Sequence, residues 1–530
     1  MIPYADRLLL ADRIYCGFEP VRHVEGLAIY RGKVVAIGSA EELTPLRGPQ
    51  TQVDQLAGST VLPGLTDAHL HTGSYARSLQ AVDCLTPTPE ACLDRIRRRA
   101  GDTPPGGWIV GHGWDQNLWG RWPSAADLEA VAPQHRIYLT ARSMHAGLAS
   151  HLALNSAGIQ VGSHPDRAEQ IQRSDDGEPT GILFEHAMAL VANQVERPGP
   201  AELADMLEAA QQRLWRYGVT GVHDFDGATT FAAFQILHRA GRLGLRILKQ
   251  IRAEYLESAL ALGLRPGYGD DWLRIGNVKI FTDGALGPRT AAMLSPYEKS
   301  SDTGILLMDR EQVLEAAQRA RQAGFAMTIH AIGDRANHEA LEALSLLRQT
   351  NGDLDSPELP DRIEHLQLMQ LDDIPRPADL GVIASMQPVH ATSDRDMAEL
   401  AWGHRVERGY AWRSIKDQGA ILAFGSDAPV EEPNPFHGLH AAVTRRDFRR
   451  PDLAAWHPEQ CLTLSEALAA YTTGPALAAG LATTCGQLAP GYGADLIVLA
   501  RDPFELDLDL LAGLSPSATM TGGVWRFREA

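Results

Sequence analysis

Eight short apolar segments alternating with amphipathic helical stretches constrain this chain more than any other feature of its sequence. They are 61–71 (VLPGLTDAHLH), 218–225 (GVTGVHDF), 245–253 (LRILKQIRA), 276–283 (GNVKIFTD), 324–332 (GFAMTIHAI), 361–367 (DRIEHLQ), 381–388 (GVIASMQP) and 420–428 (AILAFGSDA). The clearest unit, EQVLEAAQRARQAGFAMTIHAIGDRANHEALEALSLLRQ, reads as helix, strand and helix in succession. Strands separated by helices form parallel sheets, and eight of them suggest an α/β fold of the (β/α)8 barrel type.

About 150 residues separate the first and second segments, far more than one connection needs. That interval has strand-like and helical text of its own (GGWIVGHGWDQ, RIYLTARSMHA, EPTGILFEHA), so residues of about 80–205 are expected to be an insertion after the first barrel strand. Both chain ends carry short half-alternating apolar runs, such as VEGLAIYRGKVVAIGSA and GQLAPGYGADLIVLARDP. The expectation is a small β-sandwich built from 1–60 and 485–530, flanking a barrel over 61–484.

The formal charge of −18 is spread along the chain, which opposes a nucleic-acid partner or an anionic membrane surface. No apolar run approaches the roughly 20 residues that span a bilayer. The N-terminus lacks the basic n-region and apolar core of a signal peptide. Five scattered cysteines without Cys-x-x-Cys spacing fit a reducing compartment, so a cytoplasmic location is expected.

Side chains at i and i+2 of a strand share a face. His69 and His71 therefore both reach the C-terminal end of the first barrel strand, where barrel enzymes act. Two histidines at a strand end are weak evidence by themselves. His330 closes FAMTIH, His365 closes RIEH and Asp427 closes ILAFGSD, so five metal-capable residues end four strands. Lys279 lies inside the apolar strand GNVKIFTD, where an unpaired ammonium is costly. Pairing with Asp283 or another carboxylate is one explanation; carboxylation of the amine, giving a carbamate that bridges two cations, is the other.

The order DAHLH, VKIFTDGALG, TIHAIGD, IEHLQ and GSDAP, with the terminal β-segments, resembles the metal-dependent amidohydrolase superfamily. GWDQNLWGRWP (113–123) and GSDAPVEEPNP (425–435) are similar to its YtcJ-like branch, which includes N-substituted formamide deformylase. The resemblance spans nearly the whole chain. It implies one or two divalent ions per chain, with zinc the default and iron, manganese or nickel suited to similar ligands. It further implies that His69, His71 and Asp427 bind the more buried ion, that His330 and His365 bind the second, and that Lys279, if carboxylated, bridges them. Family members differ in ion count and in the lysine modification.

The implied activity is hydrolysis of a C–N bond in an amide, formamide or cyclic amide by metal-activated hydroxide, with Asp427 moving the proton. An esterase or isomerase on the same scaffold, or a non-catalytic ligand-binding barrel, are the alternatives. The expected partner is a small-molecule substrate, with homo-oligomerisation left open. Candidates to contact that substrate are His145, Trp114, Arg289 and Gln387, with Asp115, Trp119 and His390 of lower weight. His223 and Asp224 are assigned structural hydrogen bonds.

Overall fold

The computed structural model describes residues 4–141, 146–164, 170–350 and 357–529. All eight expected barrel segments are strands of one parallel sheet: β1 (Leu65–Leu70), β2 (Val219–Asp224), β3 (Arg246–Arg252), β4 (Leu273–Phe281), β5 (Met327–Ala331), β6 (Arg362–His365), β7 (Ile383–Met386) and β8 (Leu422–Phe424). They neighbour one another in chain order. The sheet closes because Asp427 N–H donates to the His69 carbonyl (2.8 Å) and His71 N–H to that of Ala428 (3.0 Å).

Strand alternation sorts the side chains. Val278, Ile280, Ile329, Ile363 and Ala384 face outward and join Val313, Ala317, Leu341 and Leu344 of the surrounding helices in the main apolar core. The inward set is polar: Asn277, Lys279, Thr328, Arg362, Glu364 and Ser385, all buried. The barrel interior is therefore a charged, hydrogen-bonded column with histidines at its C-terminal end.

Strands from both chain ends pair in one seven-stranded sheet. Its order is 524–528, 518–521, 496–499, 52–63, 7–18, 21–30 and 33–38. Residues 7–14 run parallel to 52–61, and the other neighbours are antiparallel. The expected first barrel strand, 61–71, is thereby split: Val61 and Leu62 belong to the terminal sheet and the barrel begins at Leu65. Gly64 marks the break, where an added Cβ would lie 2.3 Å from Thr220 Oγ1 of β2, closer than atoms approach.

Residues Ala76–Glu202 form a second compact unit. It is built on a six-stranded sheet ordered 171–173, 179–184, 146–149, 136–141, 108–114 and 82–83, with its own core around Ile96, Ile109, Trp114, Ile137 and Ile182. Among the described residues no helix is long and apolar enough to cross a membrane.

Candidate metal centre

His69 is fully buried on β1 and its two ring nitrogens do different work. Nδ1 lies 2.6 Å from Glu364 Oε2, and Nε2 lies 3.4 Å from Asp427 Oδ1. His71 repeats the arrangement, with Nδ1 3.2 Å from Asp226 Oδ1 and Nε2 3.5 Å from Asp427 Oδ1. An Nδ1–H donated to a carboxylate leaves Nε2 with its lone pair, the tautomer a metal ligand needs.

His330 and His365 are oriented in the same manner. His330 Nε2 donates to the Gly284 carbonyl (2.9 Å), leaving Nδ1 for a ligand. His365 Nδ1 donates to Gln387 Oε1 (2.8 Å), leaving Nε2. Their rings stand 4.5 Å apart, and that of His365 is 5.0 Å from His69. Alternation alone would turn His365 away, because Arg362 and Glu364 of the same strand point inward. The backbone at His365 is left-handed (φ 78°), which swings the ring back into the mouth beside Glu364. Asp427 is also left-handed (φ 58°), and such conformations cost about 1–3 kcal/mol for residues other than glycine. Two of the five expected metal-capable residues are therefore held in strained backbone.

Electrostatics favour neutral imidazoles at His69, His330 and His365, whereas at His71 and His390 the lowering by burial is outweighed by carboxylates, Asp226 and Asp427 for His71 and chiefly Asp427 for His390, which is raised to about 9. Burial lowers His69 and His365, and lowers His330 to about 3. For Glu364 burial acts upward, but Arg362 foremost, then His69 and Lys279, hold the carboxyl below the ordinary carboxylate range. For Asp427 burial is likewise outweighed, by the facing histidines, and the carboxyl stays ionised. Lys279 is 2% exposed and its ammonium has no hydrogen-bond partner among the described residues; it lies 5.0 Å from the Phe225 ring centre and 4.6 Å from that of Phe281. Burial brings it down to about 8, with Glu364 and Asp427 opposing. Asp283, the partner suggested by sequence, instead accepts from the backbone N–H groups of Ala292, Ile332 and Gly333.

The donor set fits a divalent cation. Bonds of about 2.0–2.2 Å in tetrahedral geometry separate ligand atoms by about 3.3 Å. The nitrogen-to-carboxylate distances of 3.4 and 3.5 Å about Asp427 Oδ1 match that spacing and exceed a good hydrogen bond. The ligand atoms of His69, His71 and Asp427 all lie within 4.8 Å of one another, as do those of His365, His390 and Asp427.

Several site residues escaped the sequence reading. Glu364, Arg362 and Ser385 form a buried network: Arg362 Nε donates to Glu364 Oε1 (2.5 Å), and its Nη groups to His223 Nδ1 (2.8 Å), the Ala68 carbonyl and Ser385 Oγ (both 2.7 Å). Two charges at i and i+2 of the short strand RIEH, hence on one face, were the available signal. Asp67 ties β1 to the loop after β8 through Ser426 Oγ (2.6 Å) and the N–H of Ser426 and of His69 (3.1 Å each).

The substrate candidates fare differently. Trp114 is fully buried in the core of 76–202, with Nε1 donating to the Leu139 carbonyl (3.0 Å) and its ring beside Trp119 and Trp122. Its ring is packed as a core side chain of that unit. Gln387 is 3% exposed and turned onto His365, which makes it an orienting group. Arg289 is exposed on the loop after β4 and forms no ion pair among the described residues. His145 lies outside the described residues. His223 accepts from Arg362, and Asp224 pairs with Lys249 (2.7 Å).

A closed parallel barrel with histidines and carboxylates gathered at the C-terminal ends of its strands defines the class, a (β/α)8 barrel of the metal-dependent hydrolase type. The chain belongs to the amidohydrolase family, whose pattern matches residues 52–527. It is 29% identical to the putative amidohydrolase YtcJ of Bacillus subtilis, over 96% of this chain and 97% of that protein. It is 28% identical to N-substituted formamide deformylase of Arthrobacter pascens, over 95% of each. Among solved structures, an uncharacterized metal-dependent hydrolase from Pyrococcus furiosus superposes with a TM-score of 0.79 at 28% identity, covering 94% of this chain and all of that one.

Proposed function

We propose that the chain hydrolyses a C–N bond of a small amide, formamide or cyclic amide at this centre. The observation that carries the reading is the convergence on Asp427 of imidazole nitrogens whose opposite ring nitrogens are already engaged. His69, His71 and Asp427 would hold one divalent ion, zinc by default. His330 and His365 would hold a second, with Lys279 joining the two as a carbamate. A bound divalent cation supplies a Lewis acid that polarises the scissile carbonyl and makes water more acidic.

The chain's own groups do the rest. Glu364, Asp226, Gln387 and the Gly284 carbonyl fix the tautomers of the four histidines. Asp427, ionised, accepts a proton from the attacking water on a carboxylate oxygen and returns it to the departing nitrogen. Lys279 is buried without a hydrogen-bond partner among the described residues, and burial brings it down to about 8, so a neutral amine able to take up carbon dioxide is accessible close to neutral pH.

The similarity to N-substituted formamide deformylase makes N-formyl compounds the first substrates to try. The test is metal analysis of the purified protein, then a screen of N-formyl, N-acyl and cyclic amide compounds on the metal-replete form. Release of amine or acid from at least one class, lost on chelation and restored by metal, is expected. A metal-replete protein inert towards all three classes would overturn the reading.

A further inference from the structure

His390 lies in the short helix Pro388–Ser393 that follows β7, 5% exposed, with its ring 6.4 Å from that of His365 and 25° from parallel. Its Nε2 stands 3.4 Å from Asp427 Oδ2. The other carboxylate oxygen, Oδ1, is the one that faces His69 and His71 at 3.4 and 3.5 Å. Asp427 thus presents one oxygen to each of two histidine sets.

We infer that His390 is a metal ligand, completing with His365 a second site on the Oδ2 side of Asp427. This rests on the proposed hydrolytic centre and adds a ligand to it. Three observations carry it. The candidate ligand atoms of His365, His390 and Asp427 lie within 4.8 Å of one another. The 3.4 Å separation of His390 from Asp427 equals that of His69, is long for a hydrogen bond, and matches two ligands sharing a tetrahedral ion. Gln387, three residues before His390, holds His365 with Nε2 free, so the short segment that places one ligand also orients the other.

The experiment compares wild type with His71→Asn, His365→Asn and His390→Asn, each reconstituted with zinc and measured for bound metal by elemental analysis and native mass spectrometry. Wild type is expected to hold about two ions, and each variant about one. His390→Cys, loaded with cobalt(II), gives a second readout in case the asparagine variant misfolds. A thiolate at position 390 bound to cobalt produces a charge-transfer absorption band absent from the wild-type cobalt protein, whose five native cysteines stand outside both clusters.

Full metal content in His390→Asn, a single ion in wild type, or no thiolate band in the cobalt-loaded His390→Cys protein would overturn the inference. If those results came with metal-dependent hydrolysis intact in wild type, the proposed function would stand and only the ligand role of His390 would fall. If wild type held two ions, lost one in His390→Asn and hydrolysed none of the amides, the ligand would stand and the reaction would need revision.

Discussion

Glu364→Gln is the sharpest probe of how this barrel prepares its centre, because one carboxylate serves two purposes. It receives His69 Nδ1–H at 2.6 Å, and it neutralises Arg362 through contacts at 2.5 and 3.1 Å. All three side chains are essentially without solvent contact. An amide of the same shape can still accept from one neighbour, but its NH2 group faces donors on Arg362 and Ser385. Removing one partner of a buried ion pair costs about 3–5 kcal/mol. Arg362 retains His223 Nδ1, the Ala68 carbonyl and Ser385 Oγ, so about 3 kcal/mol is expected by urea denaturation. Separately, a metal-bound histidine that loses its carboxylate partner weakens metal binding roughly 10- to 100-fold. The two effects separate in the double variant Arg362→Met with Glu364→Gln, which removes the orphaned cation. Stability should largely return, whereas metal affinity, measured by competition with a chromophoric chelator, should stay low. Recovery of both in the double variant, or unaltered affinity in Glu364→Gln, would refute the claim that Glu364 acts on the metal through His69.

Three further outcomes follow from the same geometry. Replacing His69 and His71 together by alanine should abolish metal binding at their site while far-ultraviolet circular dichroism keeps its barrel signature; unchanged metal content would remove the pair from the ligand set. Lys279→Met replaces a buried ammonium whose folded pKa of about 8 lies below the ordinary 10.5, so in the metal-free protein it should gain about 3 kcal/mol at pH 7. Because the folded form holds fewer protons than the unfolded form between those values, wild-type stability should rise as pH goes from about 8 to 10.5; the methionine variant should lack that rise and should have lost most hydrolytic activity. Trp114→Ala should destabilise residues 76–202 by about 3–5 kcal/mol, read as faster limited proteolysis there, with metal content unchanged.

How much of this was legible beforehand depends on where each residue sits relative to a regular period. The eight barrel strands could be read because each is an apolar run followed by helical text. His69, Lys279 and His330 could be placed because simple alternation points them inward. Glu364 was missed because alternation gives its neighbour His365 the opposite face, and only the left-handed turn at His365 lets both point inward. His390 lies past the end of β7, in a helical turn where the strand period no longer applies. The packing of Trp114 was not legible for another reason: a tryptophan in an insertion has the same sequence signature whether it lines a mouth or fills a core. The 61–71 run divides at Gly64 because one continuous apolar stretch serves two sheets in succession.

The closing seam of the barrel explains why the centre sits where it does. β8 meets β1 through hydrogen bonds made by the main chain of His69, His71 and Asp427, the residues whose side chains converge. Asp67 reinforces the seam from the inward face of β1, where burial raises its carboxyl to about 7 despite the donors of Ser426 and His69. Gly425 permits the approach, since a Cβ there would fall 2.4 Å from His69 N and 2.7 Å from Asp67 Oδ1. The spacing of the proposed ligands and barrel closure are therefore one geometric condition. A change that widens the seam by a few tenths of an ångström separates Asp427 from both histidines without touching a ligand, and a bound ion spanning the seam would in turn hold the first and last strands together.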